Sequence, residues 1–262
     1  MRIKNSLKAW YRRHADLYPN LYNAQQRYTL LLRGRLNYVH ENDFRALPLL
    51  GMPAKASCID VGGNRGQSIT AIKGVLPYAR VVSFEPNPIA YSCLQKIAKR
   101  LPGVTTHNLA IGASNCETAM FIPYCRGVVF DQLASTQLPD PTPLAQTLRN
   151  YGFSFASNTD LTFERIAVQV KKLDCFRLAP DFIKIDVEGS ELEVLKGAER
   201  TLQENKPTLL IERGARKDIE SFLSALKYRR YVYVEGALAA AIDQRALNHF
   251  YINEDRAAHA LP

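Results

Sequence analysis

Four acids, one lysine and a run of glycines carry the chemistry open to this chain. Asp60 stands two residues before Gly62-Gly63-Asn64-Arg65-Gly66. Glu85 follows Gly66 by nineteen residues. Lys184, Asp186 and Glu188 alternate with apolar residues in Phe182-Ile183-Lys184-Ile185-Asp186-Val187-Glu188. Gly62 and Gly66 let the backbone turn sharply and let a ligand approach the main chain. An acid roughly 20 residues beyond such a turn is placed to take both ribose hydroxyls of a nucleoside.

The details of the turn choose among nucleosides. A pyrophosphate site wants G-x-G-x-x-G, and the third glycine is missing here. Asp60 would repel a pyrophosphate but suits a cation. S-adenosylmethionine carries an ammonium and a sulfonium and no phosphate, so the loop reads as a site for that cofactor. Gly63 and, beyond Glu85, Pro86 and Asn87 are counted with its binding residues. The rival reading is a structural turn that binds nothing.

These residues need a parallel sheet to bring them together. Cys58–Val61 reads as a buried strand, with Asp60 at the carboxyl end where open α/β sheets bind ligands. Gln67–Leu76 is the crossover helix, and Val81–Phe84 is the second strand. Pro86-Asn87-Pro88 makes a stiff turn, with Pro88 pre-set for the helix Ile89–Arg100. Val104–Ala110 is the third strand, and Ala110-Ile111-Gly112 lies where a small apolar wall for an adenine ring would sit. The βαβ alternation then stops. Thr118–Pro123 and Ile166–Val170 read as alternating strands around a polar, turn-rich excursion at 127–158, expected to shape the acceptor pocket. Ser135 and Thr136 could contact a ligand there or cap turns. In the fourth strand, Lys184, Asp186 and Glu188 share one face, which is costly in a central strand unless they are paired. A structural Lys184–Asp186 ion pair is the plainer reading. Ser190–Glu204 reads as one helix with a capping box from Ser190 and Glu193. Thr208–Ile211, ending in Glu212, is the fifth strand. Lys217–Leu226 is a helix, and Tyr231–Val234 and Phe250–Ile252 are the last strands.

At 262 residues, 47% of them apolar, the chain has material for one large α/β domain and an appendage. Residues 1–46 read as a basic, amphipathic helical extension and 47–262 as the main domain, with the excursion at about 113–170. Met1–Arg35 holds eight Lys/Arg against one Asp. Leu7, Trp10, Tyr11, Leu17, Tyr18, Leu21 and Tyr22 recur at helical steps, interrupted at Pro19, with a second helix to Gly34. This segment is expected to pack on the main domain or on a second subunit of a homo-oligomer; contact with a membrane surface is the alternative. The net charge of +9 does not separate acidic substrates, nucleic acid and membranes. No apolar run is long enough to span a bilayer, and no secretory signal is visible. Five scattered cysteines form no CxxC pair. A reducing compartment, the cytoplasm, fits best.

Four stretches together resemble the FkbM family of S-adenosylmethionine-dependent methyltransferases. They are Ile59–Gly66, Ser83–Pro88, Asn108–Gly112 and Ile183–Ala198, and Lys171-Lys172-Leu173-Asp174 and Leu209–Glu212 fit as well. The resemblance spans about Ser57–Arg213, and the Lys184–Ala198 block is its most specific part. Gly63 stands where the family commonly has alanine. The resemblance implies a Rossmann-like class I methyltransferase: an α/β fold with a mostly parallel seven-stranded sheet, helices on both faces, and here an N-terminal helical extension. It implies O-methylation of a hydroxyl on a sugar, glycan or glycosylated natural product. It places Gly62, Asn64 and Gly66 at the methionine end, Glu85 on the ribose, and Asp186 and Glu188 at the reaction site. No metal belongs to the family motif, although carboxylates such as Asp186 and Glu188 could hold one.

A sugar hydroxyl is a weak nucleophile, so a base within hydrogen-bond reach should help. Asp186 or Glu188 is expected in that role, and His107 is a rival that reads as structural. Three other functions compete. A nucleic-acid methyltransferase would use the positive charge, but Asp186-Val187-Glu188-Gly189 replaces the Asn/Asp-Pro-Pro-aromatic turn of amino-methylating enzymes. A nicotinamide dehydrogenase lacks its fingerprint. A catalytically silent adaptor would keep the fold without turnover.

Overall fold

A computed structural model of the protein describes residues 10, 12–24, 42–212, 216–240 and 246–256. The helix expected to reach Gly34 lies outside them from residue 25 onward. By its contacts the chain divides into two compact units, 1–32 with 118–168 and 33–117 with 169–262.

Twelve strands occur among the described residues: Ser57–Val61 (β1), Arg80–Phe84 (β2), Val104–His107 (β3), Ala110–Ile111 (β4), Cys116–Cys125 (β5), Val128–Val129 (β6), Leu161–Lys171 (β7), Phe182–Ile185 (β8), Thr208–Glu212 (β9), Tyr228–Val234 (β10), Ala237–Ala240 (β11) and Asn248–Asn253 (β12). Eight of them form the sheet of the larger unit, in the order β11-β10-β12-β9-β8-β1-β2-β3. The run from β9 to β3 is parallel throughout, and β12, β10 and β11 add antiparallel pairs at the other end. β1 is the middle strand of that parallel run. Cys58, Ile59, Asp60 and Val61 are all buried, as expected of a strand covered on both faces.

Register fixes which residues share a face. Ile59 pairs with Ile183 and Val61 with Ile185; β9 then sets Leu209 and Ile211 against Ile183 and Ile185. All six belong to one core cluster with Val194, Leu195, Leu202, Ile219 and Leu223 from the helices Glu191–Gly197, Glu199–Asn205 and Lys217–Ala225. The intervening residues Ser83, Asp60 and Lys184 line up on the opposite face. The alternation read in Phe182–Glu188 therefore holds as far as Ile185, where β8 ends; Asp186 to Glu188 lie beyond the strand, with Glu188 in a left-handed turn.

Four expectations are corrected. The sheet has eight strands, not seven, because Glu235 and Gly236 take left-handed φ values of 52° and 88° and fold β11 back on β10. The third strand stops at His107; Asn108 turns away, its amide donating to the Glu85 and Pro86 carbonyls at 2.8 and 3.0 Å. Ala110–Ile111 instead pairs with Val170 and Lys171. The helix expected at Ser190–Glu204 is two helices broken at Ala198. The second has its own anchor, because the Asp174 carboxylate accepts the backbone N–H groups of Arg200 and Thr201 and the Thr201 hydroxyl. The capping box also fails. Ser190 makes no side-chain cap bond, Glu193 pairs with Lys196, and it is Glu191 that accepts the Gly189 N–H at 2.9 Å.

In the smaller unit the strands run in the order β7-β5-β6. The turn-rich stretch contains a helix, Pro141–Asn150. Asp140 accepts the Thr142 N–H and proline occupies the first turn. Ala15 and Tyr22 pack in this unit with Phe130, Leu148, Phe153 and Leu161. Pro19 opens the helical stretch 19–24 and does not interrupt a longer one; the break falls at Ala15–Leu17. Among the described residues no helix is long and apolar enough to cross a membrane.

Candidate functional site

The glycine loop is shaped by close approach. Gly62 has φ 85°, and a Cβ there would lie 1.8 Å from the Asp186 carbonyl oxygen. A Cβ on Gly63 would lie 2.1 Å from the Ser83 hydroxyl. Gly63 thus makes room for a serine that donates to Asp60 Oδ2 at 2.7 Å. Gly62 and Gly63 both donate their N–H groups to the Phe84 carbonyl, at 3.0 and 2.9 Å. Asn64 and Gly66 follow in left-handed conformations, and the helix Gln67–Val75 begins.

Glu85 fastens this loop to the next turn. One carboxylate oxygen accepts the Asn64 N–H at 2.7 Å and the other accepts the Asn87 N–H at 2.8 Å. Asn87 then caps the helix Pro88–Ala98 through Ile89 N–H. The glycine loop, Glu85, Pro86 and Asn87 are therefore one connected set.

A charged row crosses the other side of the site. Asp60 is fully buried, and burial raises its pKa while the facing Lys184 ammonium pulls against the rise. Asp60 Oδ1 has no donor in hydrogen-bonding geometry, and the Ser68 hydroxyl gives only the smallest of the stabilising effects. Lys184, also buried, donates to Asp186 Oδ2 at 2.8 Å. The ion pair read from the sequence is present, and it leads directly into the loop, because Asp186 carries the carbonyl under Gly62.

Glu212 was not singled out from the sequence. It ends β9 one residue beyond the Ile185–Ile211 pair, which brings it level with Asp186. Burial, a hydrogen bond with Asp186 and the charges of Asp186 and Glu188 push its pKa up to about 8, against the pull of Lys184. The signal available in the sequence was an acid at a strand's carboxyl end; the neighbour that perturbs it is visible only in the sheet.

The remaining candidates are placed as follows. Glu188 is exposed on the turn, with φ 53°, ahead of Gly189 at 103°. Glu191 and Arg216 hold that turn, Arg216 reaching the Gly189 carbonyl at 3.3 Å and Glu191 at 3.4 Å. His107 stacks on Phe84 with centroids 5.1 Å apart and lies beside Phe176. Burial, and secondarily Lys171, lowers its pKa. Ile111 is buried in the core cluster, and Ala110 beside it is half-buried. In the smaller unit Ser135 takes the Gln137 N–H and bridges to Phe121, which is a turn-forming role; Thr136 follows it. Among the described residues no three His, Cys, Asp or Glu side chains form a group that could hold a metal.

The residues present fit a cationic nucleoside cofactor. Asp60 Oδ1 and Asn64 Oδ1 are buried acceptors without donors in the loop region. Gly62 and Gly63 let the loop backbone lie directly against the Asp186 carbonyl and the Ser83 hydroxyl, where any side chain would collide.

Comparison with known proteins gives the family and the fold. A family model described as the methyltransferase FkbM domain matches residues 60–233. Methyltransferase sdnD of Sordaria araneosa is 26% identical over 197 residues, covering 67% of this chain and 74% of its own length. Methyltransferase 1 of Beauveria bassiana is 24% identical over 178 residues, covering 62% and 67%. The crystal structure of an FkbM methyltransferase from Methylobacillus flagellatus superposes with a TM-score of 0.51 at 22% identity. That match covers 81% of this chain but only 48% of the bacterial protein, so this chain spans about half its length.

Proposed function

The chain belongs to the FkbM family of S-adenosylmethionine-dependent methyltransferases, and on that premise we propose that it methylates a hydroxyl oxygen of a sugar, a glycan or a glycosylated natural product. When bound, the cofactor supplies an electrophilic methyl group on a sulfonium. Gly62, Asn64 and Gly66 hold its methionine end, and Glu85 takes the ribose. The observation that carries the reading is Asp186. Its carbonyl lies under Gly62 and its carboxylate is held by Lys184, 2.8 Å away, which sets a base beside the cofactor loop. Asp186 or Glu188 takes the hydroxyl proton as the oxygen gains the methyl. Alignment of the two substrates and exclusion of water supply the rest of the rate. Asp186-Val187-Glu188-Gly189 offers no apolar clamp for a base, which argues against a nucleic-acid acceptor. Five free thiols suit a reducing compartment, the cytoplasm.

Titration calorimetry with S-adenosylmethionine, S-adenosylhomocysteine and NAD tests the cofactor site, with binding expected for the first two alone. Transfer of a radiolabelled methyl group to glycans and glycosides tests the acceptor class. Transfer to nucleic acid, or to a nitrogen, would overturn the proposal. Replacing Glu85 with alanine removes charge-assisted bonds of roughly 1.5–3 kcal/mol, a loss of about ten- to 150-fold in S-adenosylhomocysteine affinity. An unchanged dissociation constant would refute the ribose assignment.

A further inference from the structure

Asp186 and Glu212 stand side by side at the ends of adjacent parallel strands. β8 and β9 pair Ile183 with Leu209 and Ile185 with Ile211, so the next residue on each strand comes level on the face away from the core cluster. Lys184 lies on that face two residues back and reaches Asp186 Oδ2. On the far side of β9, Glu212 is paired with Asn248 of β12, whose amide donates to Asp43 Oδ2 at 2.8 Å. The charged groups around Glu212 are thus Lys184, Asp186, Glu188 and, beyond Asn248, Asp43. Arg213 lies outside the described residues.

Lys184 already faces the buried Asp60 as well as Asp186. One ammonium does not balance Asp60, Asp186 and Glu212 together in a partly desolvated place, because like charges side by side disfavour ionisation. The Asp186 and Glu212 side chains are hydrogen-bonded to each other. A bond between two carboxyl groups needs a proton on one of them. Asp186 is the one held by Lys184, so the proton resides on Glu212.

We propose that Glu212 is a positioning residue for the methyl transfer: its protonated carboxyl donates a hydrogen bond to the Asp186 carboxylate, so that Asp186 stays ionised and turned toward the acceptor hydroxyl. This rests on the hydroxyl methylation proposed above. As the acceptor oxygen's lone pair forms the new O–C bond, the S–C bond breaks and its electrons stay on sulfur. The O–H proton passes to Asp186 and leaves to solvent after product release. At alkaline pH Glu212 loses its proton, the donor disappears, and two adjacent anions repel each other. This is the coupled behaviour of paired carboxylates at functional sites.

The test is carbon-13 NMR of the full-length protein labelled at the glutamate and aspartate carboxyl carbons. One glutamate resonance should titrate with a midpoint at about 8. It should vanish in Glu212→Gln and move down in Asp186→Asn. In a methyl-transfer assay Glu212→Gln should lose the alkaline decline of the wild-type pH profile, because an amide donates at every pH. A merely structural Glu212 would leave that profile's shape unchanged. The proposal is overturned if every glutamate titrates in the ordinary range, or if the high-pH resonance survives Glu212→Gln. Wild-type binding of S-adenosylhomocysteine, measured on the same sample, separates this failure from a failure of the methyltransferase reading.

Discussion

A methyl group added at residue 62 will drive the glycine loop and Asp186 apart. In Gly62→Ala the new Cβ would stand 1.8 Å from the Asp186 carbonyl oxygen and 2.8 Å from its carbon, both backbone atoms that no rotamer change can move. The left-handed φ of 85° adds strain of its own for an L-residue. Relief requires Asp186 to move away from β1, and the Asp186 N–H bond to the Val61 carbonyl, 3.0 Å long, goes with it. That movement also carries Asp186, the proposed base, away from the loop. The expected loss is about 2–4 kcal/mol of stability, read as a lower urea midpoint, with no detectable binding of S-adenosylhomocysteine in calorimetry. Wild-type affinity in this variant would show that the loop and Asp186 do not meet as described.

Lys184→Met has the other large expected effect. The methionine fills the space but leaves Asp60, fully buried, and Asp186, whose side chain is 26% exposed, without their cation. Removing one partner of a buried pair costs about 3–5 kcal/mol. The pH dependence follows from Asp60. Burial already raises its folded pKa, and Lys184 is the largest effect opposing that rise, so the variant raises it further. A carboxyl raised on folding contributes stability that is present at acidic pH and lost as pH climbs through the folded value. The gap between variant and wild type should therefore be widest near neutral pH. It should narrow as pH falls toward about 4, where Asp60 protonates in both states. Equal urea midpoints at neutral pH would mean that Lys184 does not neutralise this row.

What could be read from the chain alone was local or strictly periodic. The strand into Gly62, the acid at Glu85, the cap at Asn87-Pro88 and the two-faced Phe182–Ile185 strand all announce themselves within a few residues. Glu212 does not, because its perturbing neighbour is 26 residues away and becomes adjacent only through the β8–β9 register. The break at Ala198 was equally hidden, since Asp174, the anchor of the second helix, sits in a separate turn. Gly197 shows the same dependence: a Cβ there would meet the Gly112 carbonyl at 2.0 Å. Two misses were avoidable. Asp140-Pro141 is a helix start by the same logic that located Asn87-Pro88. Gly236 marks the β10–β11 hairpin turn by residue type. The capping box at Ser190 failed because the Glu193 carboxylate it needs pairs with Lys196 one turn on.

The order β2-β1-β8 has a consequence for how the protein is made. β1 finds β2 within a few tens of residues, but its other edge must wait for Phe182–Ile185. A ribosome adding about 5–20 residues per second leaves that apolar edge open for roughly 6–24 s. During that interval Gly62 has no Asp186 carbonyl to press against and Asp60 has no Lys184. The nascent first half should thus expose a sticky strand edge and be unable to hold the cofactor, so a chain stalled before residue 182 should depend on chaperones, whereas one released after β8 has docked should not.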